Sequence, residues 1–368
     1  MHYHLILSEA CNSNCKYCYK KSIEEFDNEL DKKFKFDFTS PESSQVEIKK
    51  LKQFLEKDKE AVLIFYGGEP LLEIEKIKQI IDSLNVQFRM QTNGLLLDKL
   101  SKEYINKITK ILISIDGNKE RTDYNRGEGT YEKVMQNIKS IKENGYSGEI
   151  IARITLSEFP DIYEQVKFLI NTNVFNSYHW QIDAGFFRFD YNKEKFEIFT
   201  KEYNKSLSRL INYWIEQIKK GNLIKIYPFI AIIESLLKKE TTNLRCGAGY
   251  AGYAISTDGK VIACPIMNGI ENFKAGTLDT NPKDLKKFEI SGNCLKCNYL
   301  NLCGGRCLYW NKAELWPKGG DELICKTIKH LIDELKSKIP EIQELIKSNI
   351  IKESDFEYEK YFGPEIIP

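Results

Sequence analysis

Ten cysteines are the residues in this chain with the most chemistry to offer, and they are unevenly placed. Cys11, Cys15 and Cys18 stand within one short run near the start. No cysteine follows until Cys246, and Cys264, Cys294, Cys297, Cys303, Cys307 and Cys325 complete the set. Structural cysteines of a generic kind would be scattered through the 19–245 interval. With no export signal at Met-His-Tyr-His-Leu-Ile-Leu-Ser, a reducing compartment disfavours disulfides, so the clustering points to metal or catalysis. The spacing Cys11-x3-Cys15-x2-Cys18 suits three thiolates on one tight loop, each holding one iron of a [4Fe–4S] cluster and leaving the fourth iron open. A zinc knot is the alternative, and it would want a fourth ligand. His2 and His4 are near in sequence but lie on the preceding strand.

The elements around the loop have a regular order. Short, nearly continuous apolar runs predict strands at Tyr3–Ser8, Ala61–Tyr66, Val86–Thr92, Lys110–Asp116, Glu149–Leu156 and Ser177–Asp183, as strands covered on both faces require. Helical patterns lie between them at Gln45–Asp58, Leu71–Leu84, Asp98–Lys107, Tyr131–Glu143 and Pro160–Asn171. The alternation implies a parallel α/β sheet of βαβ units. Longer helices are expected over Lys193–Lys220 and Pro228–Lys239. From about Thr241 to Cys325 the chain turns Gly- and Cys-rich, as a small metal-pinned domain would. Lys326–Ser348 returns to a helical pattern. Four divisions follow: residues 1–190, 191–243, 244–325 and 326–368.

The chain has 368 residues, 42% of them hydrophobic, and its 54 basic and 53 acidic side chains nearly cancel. That balance favours neither nucleic acid nor an anionic membrane surface. No run is long and apolar enough for a transmembrane helix. A cytoplasmic location is expected.

The loop, with aromatic Tyr17 beside the last cysteine, resembles the cluster loop of the radical S-adenosylmethionine (SAM) superfamily. Further segments at strand ends agree. Gly67-Gly68-Glu69-Pro70 is similar to the family's GGEP segment, which holds the SAM amino group; alone, it would read as an ordinary turn. Glycines there admit close backbone approach, and a carboxylate complements an ammonium. Gln91-Thr92-Asn93-Gly94 and Ser114-Ile115-Asp116-Gly117 resemble segments lining the SAM and substrate pocket in the peptide-modifying branch. Ser114 and Arg153 occupy the places of two further SAM contacts. Arg153, in an otherwise apolar strand, needs an anion: a SAM carboxylate or a buried structural partner.

The later cysteines resemble a SPASM domain, with Cys294-x2-Cys297-x5-Cys303-x3-Cys307 as its core. The resemblance spans roughly residues 3 to 325. It implies a partial (β/α)6 TIM-type barrel and three [4Fe–4S] clusters. Cys294, Cys297, Cys303 and Cys325 would hold an outer auxiliary cluster, and Cys246, Cys264 and Cys307 an inner one. Residues 247–263 contain no further cysteine, so the inner cluster has either an open iron that captures a substrate thiolate or a site closed by Asp, Glu, Ser, water or a backbone group. Paired zinc ribbons would leave seven ligands for eight places.

The implied activity is reductive SAM cleavage to a 5′-deoxyadenosyl radical, which takes hydrogen from a ribosomally made peptide. A thioether crosslink is the leading product. The alternatives are a small-molecule member such as a cofactor-precursor decarboxylase, an anaerobic sulfatase-maturating enzyme, or a non-enzymatic electron-transfer or zinc-binding protein. Sulfatase-maturating relatives carry an aspartate where Pro265 follows Cys264, which weakens that reading here. No general base is identified; Asp183 and Asp190 are candidates, or solvated loop acids. Ferredoxin or flavodoxin would supply electrons. The first strand begins at residue 3, so a separate leader-binding protein, or the 193–239 helices with Tyr203, Tyr213, Trp214 and Tyr227, would hold a leader peptide; core packing is the other role for these aromatics.

Overall fold

A computed structural model of the chain describes residues 1–18, 32–183, 192–314 and 318–368. Ten strands run in chain order: β1 (His2–Ser8), β2 (Val62–Gly67), β3 (Gln87–Thr92), β4 (Ile108–Ser114), β5 (Glu149–Leu156), β6 (Ser177–Ile182), β7 (Lys225–Ile226), β8 (Gly252–Ile255), β9 (Lys260–Ile262) and β10 (Lys274–Thr277). Two compact units form: residues 1–115, 119–151 and 247–289 in the first, and 116–118, 152–246 and 290–368 in the second.

In the first unit β1 is central. It pairs in parallel with β2 on one side and with β8 on the other. The ladder continues in parallel through β3 to β4, while β8, β9 and β10 follow antiparallel on the far side. Tyr3, Leu5, Ile6 and Leu7 are all buried, because β1 has neighbours at both edges and covering on both faces. The helix Ile74–Ser83 buries Ile77, Ile80 and Ile81, an i, i+3, i+4 stripe.

The second unit holds the rest of β5, β6 and β7, with β6 and β7 parallel. Its longest helix, Lys193–Lys219, starts where Asn192 Oδ1 accepts the Lys195 amide at 3.0 Å. It buries Phe199, Tyr203, Leu207, Leu210, Ile211, Trp214, Ile215 and Ile218 at helical spacing. Trp180 donates to the Tyr203 hydroxyl at 2.8 Å, and Trp214 to the Ile224 carbonyl at 2.8 Å, so two large indoles enter the core with their polar atoms satisfied.

All six expected strands are present within two residues of their predicted ends, in the expected parallel α/β architecture. Three differences have physical causes. Residues 247–289 fall in the first unit rather than with the other late cysteines, because Gly252–Ile255 is buried throughout and pairs as a strand with β1. The Lys326–Ser348 pattern is two helices, Lys318–Ser337 and Ile339–Lys347; Pro340 sits in the first turn of the second, where its missing N–H costs nothing. A helix at Lys119–Arg126 was not expected, since the residues it buries are the polar Thr122, Asn125 and Arg126.

Candidate SAM and iron–sulfur sites

The three-cysteine loop leaves the carboxyl end of β1, and the segments after β2 and β3 leave the same edge of the parallel ladder. Parallel α/β sheets place their sites at that edge. Cys11 is exposed, and Cys15 and Cys18 are partly so.

The loop is tied down from several directions. Gly68 N–H donates to the Ser8 carbonyl at 2.8 Å, and Glu69 N–H to the Ala10 carbonyl at 2.9 Å. This close approach explains the glycine pair. A Cβ on Gly67 would lie 2.3 Å from the Ser8 carbonyl oxygen, and one on Gly68 would lie 2.2 Å from that of Ala10. Gly67 also has φ +143°, which side chains rarely adopt.

Asn93 reaches the loop from the end of β3. Its side-chain amide donates to Asn12 Oδ1 at 2.7 Å and Ser13 Oγ at 3.2 Å, and lies 3.8 Å from the Cys11 sulfur. Arg126 reaches it from the unexpected helix. Its guanidinium stands 3.9 Å from the Cys15 sulfur and over the Tyr17 ring, 5.4 Å from its centroid. The Lys16 amide donates to the Asn125 carbonyl at 2.9 Å, and Lys16 Nζ lies 3.0 Å from the Tyr124 ring centroid. Amide and guanidinium donors aimed at sulfurs suit thiolates, and so fit an iron–sulfur cluster at Cys11, Cys15 and Cys18. Burial raises the Cys11 thiol pKa, while hydrogen bonds from the Ser13 backbone and Asn93 pull it back.

Glu69 serves a purpose that sequence reasoning missed. Its carboxylate is fully buried and accepts from Thr92 Oγ1 at 2.7 Å, Asn93 N at 2.7 Å and Leu71 N at 3.0 Å. It caps the turn beginning at Pro70 and joins β2 to β3. Burial pushes its carboxyl up to about 7 against the pull of those three donors. Ser114 closes β4, half-buried.

In the second unit, Asp116 is fully buried and accepts the Thr155 amide at 3.0 Å, fixing the turn after β4. Arg153 donates to Gln181 Oε1 at 3.0 Å. His179, two residues before Gln181 on β6, is buried with neither ring nitrogen hydrogen-bonded among the described residues, and burial holds its pKa well below the ordinary value. Asp183 directly follows β6; Asp190 lies outside the described residues. Tyr203, Trp214 and Tyr227 are buried and so are core residues, while Tyr213 packs edge-on to Tyr163 at 6.0 Å.

Four late cysteines of this unit fall within electrostatic range of one another. Burial first, then the neighbouring thiolates, raise the pKa values of Cys294 (through Cys297) and Cys325 (through Cys294 and Cys297). Cys303 rises to about 11, again by burial, with Cys325 and Cys294 adding to it. Asn311 Nδ2 lies 3.6 Å from the Cys294 sulfur. Beside Cys246, the buried Arg245 donates to the carbonyls of Leu302 at 2.8 Å and Ala231 at 3.1 Å. Cys307 shares this unit, while Cys264 belongs to the first. Among the described residues, no three His, Cys, Asp or Glu side chains converge as ligands of a single ion would; a cubane cluster asks instead for thiolates spread over separate irons.

Residues 5–164 match the Radical SAM superfamily model. Among curated proteins, the chain is 25% identical over 363 residues to the radical SAM cyclopropyl synthase TigE of Paramaledivibacter caminithermalis, covering 90% of this chain and 74% of that one. It is 24% identical to a cysteine-type anaerobic sulfatase-maturating enzyme of Clostridium perfringens, over 82% of this chain and 86% of that protein. Among solved structures, native anSMEcpe with bound AdoMet and Cp18Cys peptide shares the fold at TM-score 0.69 and 20% identity, covering 93% of this chain and 99% of that one. Residues 5–164, which carry the three-cysteine loop, are thus a Radical SAM superfamily domain.

Proposed function

We propose that the chain modifies a ribosomally made peptide, and that it joins a substrate cysteine to an unactivated carbon as a thioether. The observation that carries the reading is the clamped loop: Cys11, Cys15 and Cys18 on one short turn, with Asn93 and Arg126 donating toward two of the sulfurs. When bound there, a [4Fe–4S] cluster supplies the electron that splits SAM into methionine and a 5′-deoxyadenosyl radical. The chain's own residues hold and orient. Asn93 and Arg126 neutralise thiolate charge, Gly67 and Gly68 let the backbone pass closely behind the loop, and Glu69 locks β2 to β3. Ser114 contributes toward SAM from the end of β4.

Action on a polypeptide is supported by the chain's similarity to a sulfatase-maturating enzyme. A solved relative with the same fold binds a peptide together with AdoMet. Two auxiliary clusters, on Cys294, Cys297, Cys303 and Cys325 and on the remaining late cysteines, would carry electrons in from ferredoxin or flavodoxin. They would also take up the one electron released as the thioether closes, the radical having taken a hydrogen atom and the thiol having lost its proton. Sulfatase maturation is the second reading, favoured by the length of that match and opposed by Pro265, whose side chain exchanges no proton. Anaerobic incubation of the reconstituted enzyme with SAM, a reductant and a cysteine-containing peptide encoded beside its gene tests the proposal. Loss of two hydrogens with the thiol blocked to alkylation supports the crosslink. Exchange of the substrate sulfur for oxygen supports the maturase instead.

A further inference from the structure

Arg306 lies between Cys303 and Cys307 in sequence, and only 8% of its surface is exposed. It adopts a left-handed backbone conformation at φ +60°, which costs a side-chain-bearing residue strain. Its guanidinium carbon sits 5.0 Å from the centroid of the Trp310 ring. Its Nε is buried with no hydrogen-bond partner among the described residues. Asp321, a carboxylate within its electrostatic reach, accepts a hydrogen bond from Trp310 and has a buried Oδ1 with no partner among the described residues. A buried cation costs several kcal/mol when nothing compensates it. Desolvation of the cation calls for an anion, and the groups whose negative charge would favour it are the thiolates of Cys307, Cys303 and Cys325 and the Tyr203 phenol.

We infer that Arg306 is the counter-charge of the iron–sulfur cluster held by Cys294, Cys297, Cys303 and Cys325, a positioning residue whose cation favours the cluster's reduced form. This rests on the auxiliary-cluster part of the proposed function and deepens it. Reduction adds an electron to an already anionic cluster, and a fixed positive charge in a low-dielectric setting stabilises the added charge. Arginine suits the task, because it is a weakly hydrated cation whose planar fork presents donors in several directions. The Trp310 face supports the guanidinium without neutralising it.

The test is a redox titration of the full-length, reconstituted protein followed by electron paramagnetic resonance, in wild type, Arg306→Gln and Arg306→Lys. The signal that changes on adding SAM marks the first cluster and serves as internal reference. In Arg306→Gln, at a fixed solution potential, the reduced-to-oxidised ratio of the auxiliary cluster should fall about tenfold, a 59 mV drop for one electron. Arg306→Lys should stay near wild type, and the SAM-responsive cluster should not move in either variant. An unchanged ratio in Arg306→Gln at full iron content overturns the inference, as does an equal shift in both variants. If Arg306→Gln fails to take up iron, Arg306→Lys decides: loading supports the role of charge, and failure of both overturns it. Loss of the reading beneath it looks different, because wild type and Cys294→Ala would then carry the same iron.

Discussion

The Arg126 guanidinium stands 3.9 Å from the Cys15 sulfur and covers the Tyr17 ring two residues further on. One cation therefore grips both the ligand and the aromatic of the three-cysteine loop. It comes from a helix whose buried face is polar, so its place in the fold is fixed by what it holds rather than by hydrophobic burial. Arg126→Gln keeps the shape and removes the charge. SAM cleavage, measured as 5′-deoxyadenosine released at equal iron content, should slow by about tenfold. An unchanged rate would reduce Arg126 to a packing residue.

Gly68 leaves no space for a side chain, since an added Cβ would meet the Ala10 carbonyl oxygen at 2.2 Å. Gly68→Ala must push the cysteine loop away from the end of β2. A loss of about 1–3 kcal/mol is expected, together with incomplete iron loading. Normal thermal stability and full iron in this variant would contradict the close approach.

Burial raises the Glu69 carboxyl from 4.5 to about 7. A folded-state value above the unfolded one means the folded protein holds this proton more tightly. Its contribution to stability is complete below pH 4.5 and is lost as pH rises toward 7, by roughly 3 kcal/mol. Glu365, also raised to about 7 by burial, adds a fall of the same sign. Melting temperature across pH 4.5 to 8 should decline less steeply in Glu69→Gln than in wild type. Parallel curves would show that Glu69 carries no share of the pH dependence.

Cys11→Ala and Cys303→Ala should separate the two sites. Each is expected to lose about four irons per chain, and only Cys11→Ala should abolish the spectral response to SAM. If Cys303→Ala retained all its iron, the outer-cluster assignment would fail.

Strand order was legible because β1 to β6 are short apolar runs, and such runs in alternation with amphipathic helices leave few alternatives. The loop was legible because cysteine spacing survives without any tertiary information. Arg126 was not, because a helix burying Thr122, Asn125 and Arg126 has no apolar stripe to announce it. Glu69 was found, but its bonds were not: the three donors from Leu71, Thr92 and Asn93 come together only once β2 and β3 are paired. The grouping of residues 247–289 with the first strands was hidden too, since Gly252–Ile255 is only four residues long and lies in a Cys- and Gly-rich stretch.

The most direct test of peptide crosslinking is the mass and thiol count of a cysteine-containing peptide encoded beside the gene, after anaerobic incubation with the reconstituted enzyme, SAM and a strong reductant. Loss of two hydrogens, with the cysteine closed to alkylation and no product from a Cys15→Ala enzyme, is the predicted result. Loss of two hydrogens with the thiol still free, or an unmodified peptide while SAM is consumed, would contradict a thioether on that substrate.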